Sequence, residues 1–214
     1  MKKEVGFTLS EVLITLMIIG VVTVILFSTI QQATFKTEQK NQFKKIYATL
    51  SNAITQAKAD LGYDQLCTYP SSFDDCAISQ AQMRKNLSFS KYCATNALAN
   101  GCITAIKGLD TVKQANNPAL TDADVFASTT GQPALRESSI QNTNAVYILQ
   151  DGMIFMPYSS TTPIYLVDLN GQKKPNKWGY DIFTLWVYYN RLGCVYDATE
   201  PGGTTCTNLL KTLN

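Results

Sequence analysis

The most constraining feature of the sequence is an uncharged apolar run near its N-terminus. Between Val12 and Ala33 there is no charged residue, and the first part of the run reads VLITLMIIGVVTVILF. Because an α-helix rises 1.5 Å per residue, about 20 apolar residues span the hydrocarbon core of a bilayer. Lys2 and Lys3 precede the run, and the positive-inside rule leaves the N-terminus in the cytoplasm. The sequence therefore predicts a single membrane-spanning helix, with the chain after Thr34 outside.

Glu11 does not fit an ordinary membrane anchor. It lies at the edge of the apolar run, where an unpaired carboxylate costs about 2.5–3.5 kcal/mol on insertion scales. One interpretation places it in the first helical turn, where the positive end of the helix dipole favours a carboxylate. The other requires cleavage after Gly6. Phe7 would then carry a free α-amine, with which Glu11 of the same or a neighbouring molecule would pair.

The position of the charged leader favours that cleavage. The segment before Phe7 is short and charged and ends in Gly6, a residue without a side chain. In a secretory signal peptide the apolar run precedes the cut and is discarded, whereas here it lies wholly after Gly6, and no A-x-A site follows Phe27. A cut at Gly6 would therefore retain the apolar helix in the mature chain.

This N-terminus resembles a known signature. Lys2-Lys3, followed by Gly6-Phe7-Thr8-Leu9-Ser10-Glu11-Val12-Leu13-Ile14, is similar to the start of type IV prepilins and of the pseudopilins of type II secretion. The resemblance implies cleavage between Gly6 and Phe7 by a prepilin peptidase, N-methylation of Phe7, and a role of Glu11 in subunit registry. It also implies an apolar helix that anchors the subunit in the inner membrane and later forms the filament core. The implied partners are the peptidase and N-methyltransferase, other copies or pilin-like subunits, and an inner-membrane assembly platform.

Composition excludes several other function classes. The 214 residues include no histidine, so a Ser-His-Asp or Cys-His site within this chain is impossible. The net charge is +2, and loss of two lysines and one glutamate with residues 1–6 would lower it to +1. Such a balance gives no electrostatic case for binding nucleic acid. We therefore predict a non-enzymatic protein without catalytic residues and without a nucleic-acid partner.

The apolar helix is expected to continue as an amphipathic one. We divide it into a membrane-spanning half at 7–33 and a second half at 34–61, which Gly62 ends. Apolar residues at spacings of three or four form one stripe on the second half, which a C-terminal sheet would cover. The stripe consists of Phe43, Tyr47, Leu50, Ile54, Ala57 and Leu61.

The region 62–144 is predicted to be irregular and held by disulfides. Six cysteines, all beyond the membrane segment, form an even set in an oxidising compartment. Cys194 and Cys206 are the best single pair because they enclose the Pro201-Gly202-Gly203 turn. The pairing of the other four stays open between a sequential pattern and a nested one. The sequential pattern joins Cys67 to Cys76 and Cys93 to Cys102, and the nested one joins Cys67 to Cys102 and Cys76 to Cys93.

Within this region, Ser79–Leu87 is predicted to be a short helix capped by Ser79.

Residues 145–214 have the pattern of an antiparallel sheet. An Asp-Gly pair at positions 151–152 lies between two apolar runs, which is a strong hairpin signal. The predicted strands are Ala145–Leu149, Met153–Pro157, Pro163–Leu169 and Tyr180–Tyr189. Short connections indicate a meander, one face of which covers the amphipathic helix. The predicted fold class is therefore α+β and pilin-like, with a long N-terminal helix, a C-terminal antiparallel sheet and disulfide-linked loops.

The loop between the last two predicted strands has candidate metal ligands. Some major pseudopilins bind Ca²⁺ in this region, and the loop carries the oxygen-bearing residues Asp168, Asn170, Asn176 and Asp181. Calcium takes 6–8 oxygen ligands, usually with several carboxylates, and this loop also contains three lysines. A structural turn set by Asn-Gly and Pro-Asn is the favoured interpretation. The sequence predicts no cofactor other than this candidate calcium ion.

Overall fold

The computed structural model describes residues 8–64, 66–67, 74–121, 135–158, 162–188 and 191–213, without the side chains of residues 28, 29, 74 and 75. The described helices are α1 (Leu9–Leu61), α2 (Asp74–Lys85), α3 (Leu109–Asn116) and α4 (Cys206–Lys211), with a π-helical segment at Ser139–Thr143. The strands are β1 (Phe89–Cys93), β2 (Val146–Leu149), β3 (Ile154–Pro157), β4 (Ile164–Asp168), β5 (Ile182–Tyr188) and β6 (Arg191–Cys194). The predicted pilin-like α+β class is confirmed.

The chain forms two compact units, residues 1–39 and 40–214. Within the first unit, α1 is apolar on every side from Val12 to Phe27. Its large apolar side chains from Leu9 to Ile30 are between 42% (Val12) and 81% (Leu9) exposed. By length and composition, α1 is the one described helix that can cross a membrane. Within this unit, no other described residue buries the apolar side chains from Leu9 to Ile30.

In the second unit, the part of α1 beyond residue 39 packs on the sheet. Phe43, Leu50, Ile54 and Ala57 from the predicted stripe are at most 2% exposed, whereas Tyr47 and Leu61 are only partly buried. The structure adds two residues that the stripe missed, Ile46 and Ala53. These additions widen the buried face beyond a narrow stripe, as expected for a helix lying on a broad sheet.

The sheet is a six-stranded antiparallel meander in the order β1-β2-β3-β4-β5-β6. The predicted Asp-Gly hairpin joins β2 and β3, and the Asp151 carboxylate forms an ion pair with Lys45 of α1 at 2.9 Å. Prediction from sequence missed the two edge strands, β1 and β6. Their sequences, FSKYC and RLGC, contain charged or small residues and no continuous apolar run, so they lack the signal that marks the central strands. Tyr189, at the end of the predicted last strand, lies outside the described residues.

Both faces of the sheet are covered. One face packs on α1 through residues such as Phe155, Val167 and Leu185. The opposite face packs on the segment between β1 and β2, with Ile106, Leu109 and other residues forming a second core. Coverage on both faces explains why every residue of β3 and β4 is buried.

Part of the region predicted to be irregular therefore has regular structure. It contributes α2, β1 and α3, and its apolar residues form most of the second core. The predicted helix at Ser79–Leu87 begins earlier, at Asp74. Ser79 consequently lies inside α2, where it is buried, and the predicted Ser79 cap was wrong.

Three disulfides connect neighbouring segments of the second unit, residues 40–214, which we call the head. The bonds join Cys67 to Cys76, Cys93 to Cys102 and Cys194 to Cys206. The structure thus selects the sequential pairing over the nested one. Each bond closes a short loop next to a helix or strand end, which reduces the conformational freedom of those loops in the unfolded chain.

Candidate functional site

The N-terminus of α1 is held by a reciprocal pair between Thr8 and Glu11. The Thr8 backbone N–H donates to Glu11 Oε2 at 2.9 Å, and the Thr8 hydroxyl donates to the same oxygen at 2.8 Å. In the other direction, the Glu11 backbone N–H lies 3.4 Å from Thr8 Oγ1. This is a capping box, in which a Thr at the cap and a Glu three residues later satisfy each other's backbone groups. Glu11 therefore has a hydrogen-bonding partner within its own chain.

This arrangement agrees with the first interpretation of Glu11 and leaves the second one open. The residue lies in the first turn of α1, where the helix dipole favours its charge. Its carboxylate bonds belong to exposed groups, so another donor can reach it. Gly6 and Phe7 lie outside the described residues, so cleavage between them, methylation of Phe7 and pairing of its α-amine with Glu11 stay predictions.

A second cluster of the predicted site residues lies between β4 and β5. Asp168 ends β4 and is completely buried, and Asp181, directly before β5, is 1% exposed. Asp168 Oδ1 accepts from the backbone N–H groups of Asn170 (3.1 Å) and Gly171 (3.0 Å). Asp181 uses both oxygens, which accept from Asn176 N and Lys177 N at 2.7 Å each. The two carboxyl groups therefore fix the two limbs of the connecting loop.

Burial shifts the titration of both carboxyl groups. Burial, together with the nearby charge of Asp181, raises the pKa of Asp168 well above its ordinary value. Burial also raises the pKa of Asp181, although the N–H groups of Lys177 and Asn176 oppose that effect. Asp168 accepts both of its backbone bonds on Oδ1, so a proton on Oδ2 is compatible with the whole bonding pattern.

The loop geometry fits a turn better than a calcium site. Three of the carboxylate oxygens of Asp168 and Asp181 already accept backbone N–H groups. Asn170 Oδ1 is buried without a partner, but the Asn170 amide nitrogen donates to Lys174 O. The Asn176 amide lies 3.1 Å from Thr104 Oγ1, on the neighbouring segment. A calcium ion needs 6–8 oxygens and would have to displace several of these donors. This bonding supports the favoured turn interpretation, and a calcium site at these four residues stays an untested prediction.

Comparison with known protein families tests the predicted N-terminal signature. Residues 1–27 match a family model described as the prokaryotic N-terminal methylation motif. The chain carries a prepilin-type methylation motif. No match was found among curated proteins, and none among solved structures. The resemblance seen in the sequence is thus confirmed for the motif, which covers Gly6, Phe7 and Glu11.

The methylation motif also accounts for a charged leader followed by an apolar helix. Processing by a prepilin peptidase follows from it, and the apolar helix directly behind it is consistent with an inner-membrane pilin. Pilin-like proteins are generally non-enzymatic structural subunits. The match ends at residue 27, so the head of the molecule has to be interpreted from its own contacts.

The part of the site that prediction from sequence missed is Thr8. The Thr-x-x-Glu spacing from Thr8 to Glu11 was visible in the sequence and is the pattern of a capping box. It was missed because the apolar run and the charged leader suggested that Glu11 needs a partner outside its own helical turn. Thr8 supplies a partner for Glu11 within its own chain.

Proposed function

We propose that the chain is a structural subunit, a pilin or pseudopilin, of a type IV pilus or of a type II secretion-like filament. The observation that carries the proposal is the methylation motif over residues 1–27 together with the helix that begins within it, whose large apolar side chains from Leu9 to Ile30 are exposed. A soluble protein would bury such a surface. A filament subunit instead places it in the membrane first and against other subunits afterwards.

Processing is the first step of the proposed sequence. A prepilin peptidase and N-methyltransferase would cut between Gly6 and Phe7 and methylate the new α-amine. The two lysines of the leader leave with it, and the apolar helix remains as a single-pass anchor in the inner membrane with the head outside. Three disulfides in the head support an oxidising compartment for that domain.

Assembly is the second step. An assembly platform in the inner membrane would transfer the subunit into a filament in which the apolar helix packs against copies of itself or related subunits. Glu11 would then exchange the Thr8 donors for the α-amine on Phe7 of a neighbour. An ion pair of this kind strengthens where water is excluded, as it is inside a bundle of apolar helices.

A minor pilin with a binding role at the filament tip is the second candidate function. It would act as a tip adhesin or as a DNA-uptake binding module, and the observation that favours it is the set of exposed lysines on the loop between β4 and β5, Lys173, Lys174 and Lys177. Both candidates share the processing step, so one measurement tests them together.

The test is the intact mass of the protein extracted from the membranes of its own host, with and without reductant. We expect the mass of residues 7–214 plus one methyl group, and a gain of two hydrogens per disulfide on reduction. Gly6→Val is the matched variant, because a side chain at this position should block the cut and leave the full-length mass. A full-length wild-type protein in a host that processes other prepilins would reject the proposal in favour of a plain membrane anchor.

A further inference from the structure

The buried side of α2 is polar at its centre. Four residues recur there at helical spacing and are at most 3% exposed, namely Cys76, Ser79, Gln80 and Met83. In the described part of the chain, Ser79 Oγ and both amide atoms of Gln80 are buried without a hydrogen-bonding partner. A buried donor or acceptor that loses its water and gains no partner costs the desolvation free energy of that group. These atoms therefore oppose the docking of α2 on the head.

The other side-chain contacts of α2 are few. Among the described residues of this helix, Met83 alone belongs to the core between α1 and the sheet, and Leu87 joins that core after the helix has ended. Gln82 Nε2 and Asn86 Nδ2 donate to Asp60 Oδ2 at 2.8 Å and 3.0 Å, but these groups are exposed. Exposed hydrogen bonds contribute little to stability, because water competes for the same donors and acceptors. Side-chain contacts alone therefore hold α2 weakly.

A disulfide provides a further link at the N-terminal end of α2. Cys76, in the first turn of α2, is bonded to Cys67, which lies on the segment that follows α1. At the other end of the helix, residues 86–88 lead directly into β1 of the sheet. The covalent chain thus joins α2 closely to the sheet at one end, and the disulfide joins it to the segment after α1 at the other.

The other two disulfides join elements that the sheet already holds. Cys93 ends β1 and lies opposite Val146 of β2, and Cys194 ends β6 and lies opposite Leu185 of β5. The hydrogen bonds between these paired strands hold β1 and β6 whether or not the disulfides are formed. A helix has no such bonds to its neighbours, so dependence on a disulfide is a property of α2 in particular.

We propose that the Cys67–Cys76 disulfide is a redox lock that keeps α2 docked on the head. A dithiol reductant opens the lock by supplying two electrons and two protons, which convert the disulfide into two thiols while the reductant becomes a disulfide itself. Released at this end, α2 moves away about residues 86–88, because Ser79 and Gln80 then regain hydrogen bonds to water. Oxidation of the two thiols docks α2 again and covers the core at Met83. The inference concerns the head alone and does not depend on the proposed filament.

The test is hydrogen–deuterium exchange with mass spectrometry on the mature full chain in a non-ionic detergent. In Cys67→Ser/Cys76→Ser, the amides of α2 should exchange at least about tenfold faster than in the wild type, whereas those of β4 should change less than about twofold. Wild-type protein treated with dithiothreitol should show the same increase in α2. The matched control is Cys93→Ser/Cys102→Ser, which removes a disulfide of the same sequence separation, nine residues. This control should leave the exchange of α2 within about twofold of the wild type.

A further substitution tests the cause of the release. In the Cys67→Ser/Cys76→Ser background, Gln80→Leu replaces the unpartnered amide by an apolar side chain of similar size and helix propensity, and it should slow the exchange of α2 at least about threefold. Lys85→Leu adds the same side chain at an exposed position of α2 and should have a smaller effect.

Two results would overturn the redox lock. The first is α2 exchange that is unchanged when the Cys67–Cys76 bond is removed, or that rises only as much as the exchange of β4, which would indicate a general loss of stability. The second is a Gln80→Leu substitution that slows the exchange of α2 no more than Lys85→Leu does, which would mean that the buried polar atoms do not drive the release.

Discussion

The ring of Phe43 on α1 meets the ring of Phe183 on β5 nearly edge-on, with centroids 5.6 Å apart and planes at 73°. Both residues are buried in the core between the helix and the sheet. Phe183 shares this core with Leu185 and Val187 of the same strand. This contact therefore connects the amphipathic half of α1 to the centre of the head.

Truncation of that contact should destabilise the head. Phe43→Ala removes a completely buried ring and leaves a cavity, for which we expect a loss of about 3–5 kcal/mol in the free energy of unfolding. Urea denaturation of the mature chain in detergent, followed by tryptophan fluorescence, measures it. Lys44→Ala, at the next and exposed position, should change the same quantity by less than about 0.5 kcal/mol. Equal effects of the two substitutions would contradict the packing described here.

The disulfide nearest the C-terminus should contribute to stability through the unfolded chain. The bond joins residues twelve apart and links β6 to α4. Cys194→Ser/Cys206→Ser should lower the free energy of unfolding by about 3 kcal/mol. When wild type and variant are both fully reduced, this difference should disappear. A difference that persists after reduction would mean that the serines disturb packing instead.

The buried carboxyl of Asp168 should make stability fall as the pH rises. A carboxyl with a higher pKa in the folded chain binds more protons there, so its contribution is complete below the unfolded pKa near 3.8 and is lost as the pH rises through the folded pKa. Asp168→Asn keeps an oxygen that accepts from Asn170 and Gly171 but cannot ionise. We expect a flatter dependence of the free energy of unfolding on pH above about 4 in this variant. The exposed Asp64→Asn control should retain the wild-type slope.

Calcium should not stabilise the loop between β4 and β5. Three of the four carboxylate oxygens of Asp168 and Asp181 already accept backbone N–H groups, so the loop offers an ion few unengaged oxygens of the 6–8 that it needs. Thermal unfolding in millimolar CaCl₂ and in MgCl₂ at equal ionic strength should give the same midpoint. A rise specific to Ca²⁺ that Asp168→Asn removes would show that the favoured turn interpretation is wrong.

The successes and failures of sequence-based prediction have physical causes. The apolar run of α1, the Asp-Gly hairpin and the central strands follow local periodicity, which a single sequence displays directly. Ile106 and Leu109 were not predicted to be core residues because only the second face of the sheet gives them a place to pack. The contact of Lys91 and Gln172 at the Gly101 carbonyl was missed for a similar reason, since it joins segments that are far apart in the sequence.

Glu11 and Thr8 provide the sharpest test of assembly. If the carboxylate exchanges its own-chain donors for a neighbour's α-amine, Glu11→Gln should leave membrane insertion and cleavage intact and reduce the amount of filament. Thr8→Ala removes the capping hydroxyl, at a cost of about 0.5–2 kcal/mol to the helix start, but it leaves the charge of Glu11 in place. We therefore expect Thr8→Ala to assemble better than Glu11→Gln.

Electron microscopy and quantification of sheared filaments measure both, with Glu38→Gln as a charge-matched control on the same helix. Equal loss in the Thr8 and Glu11 variants would assign the effect to helix capping, and normal filaments from Glu11→Gln would reject the registry role.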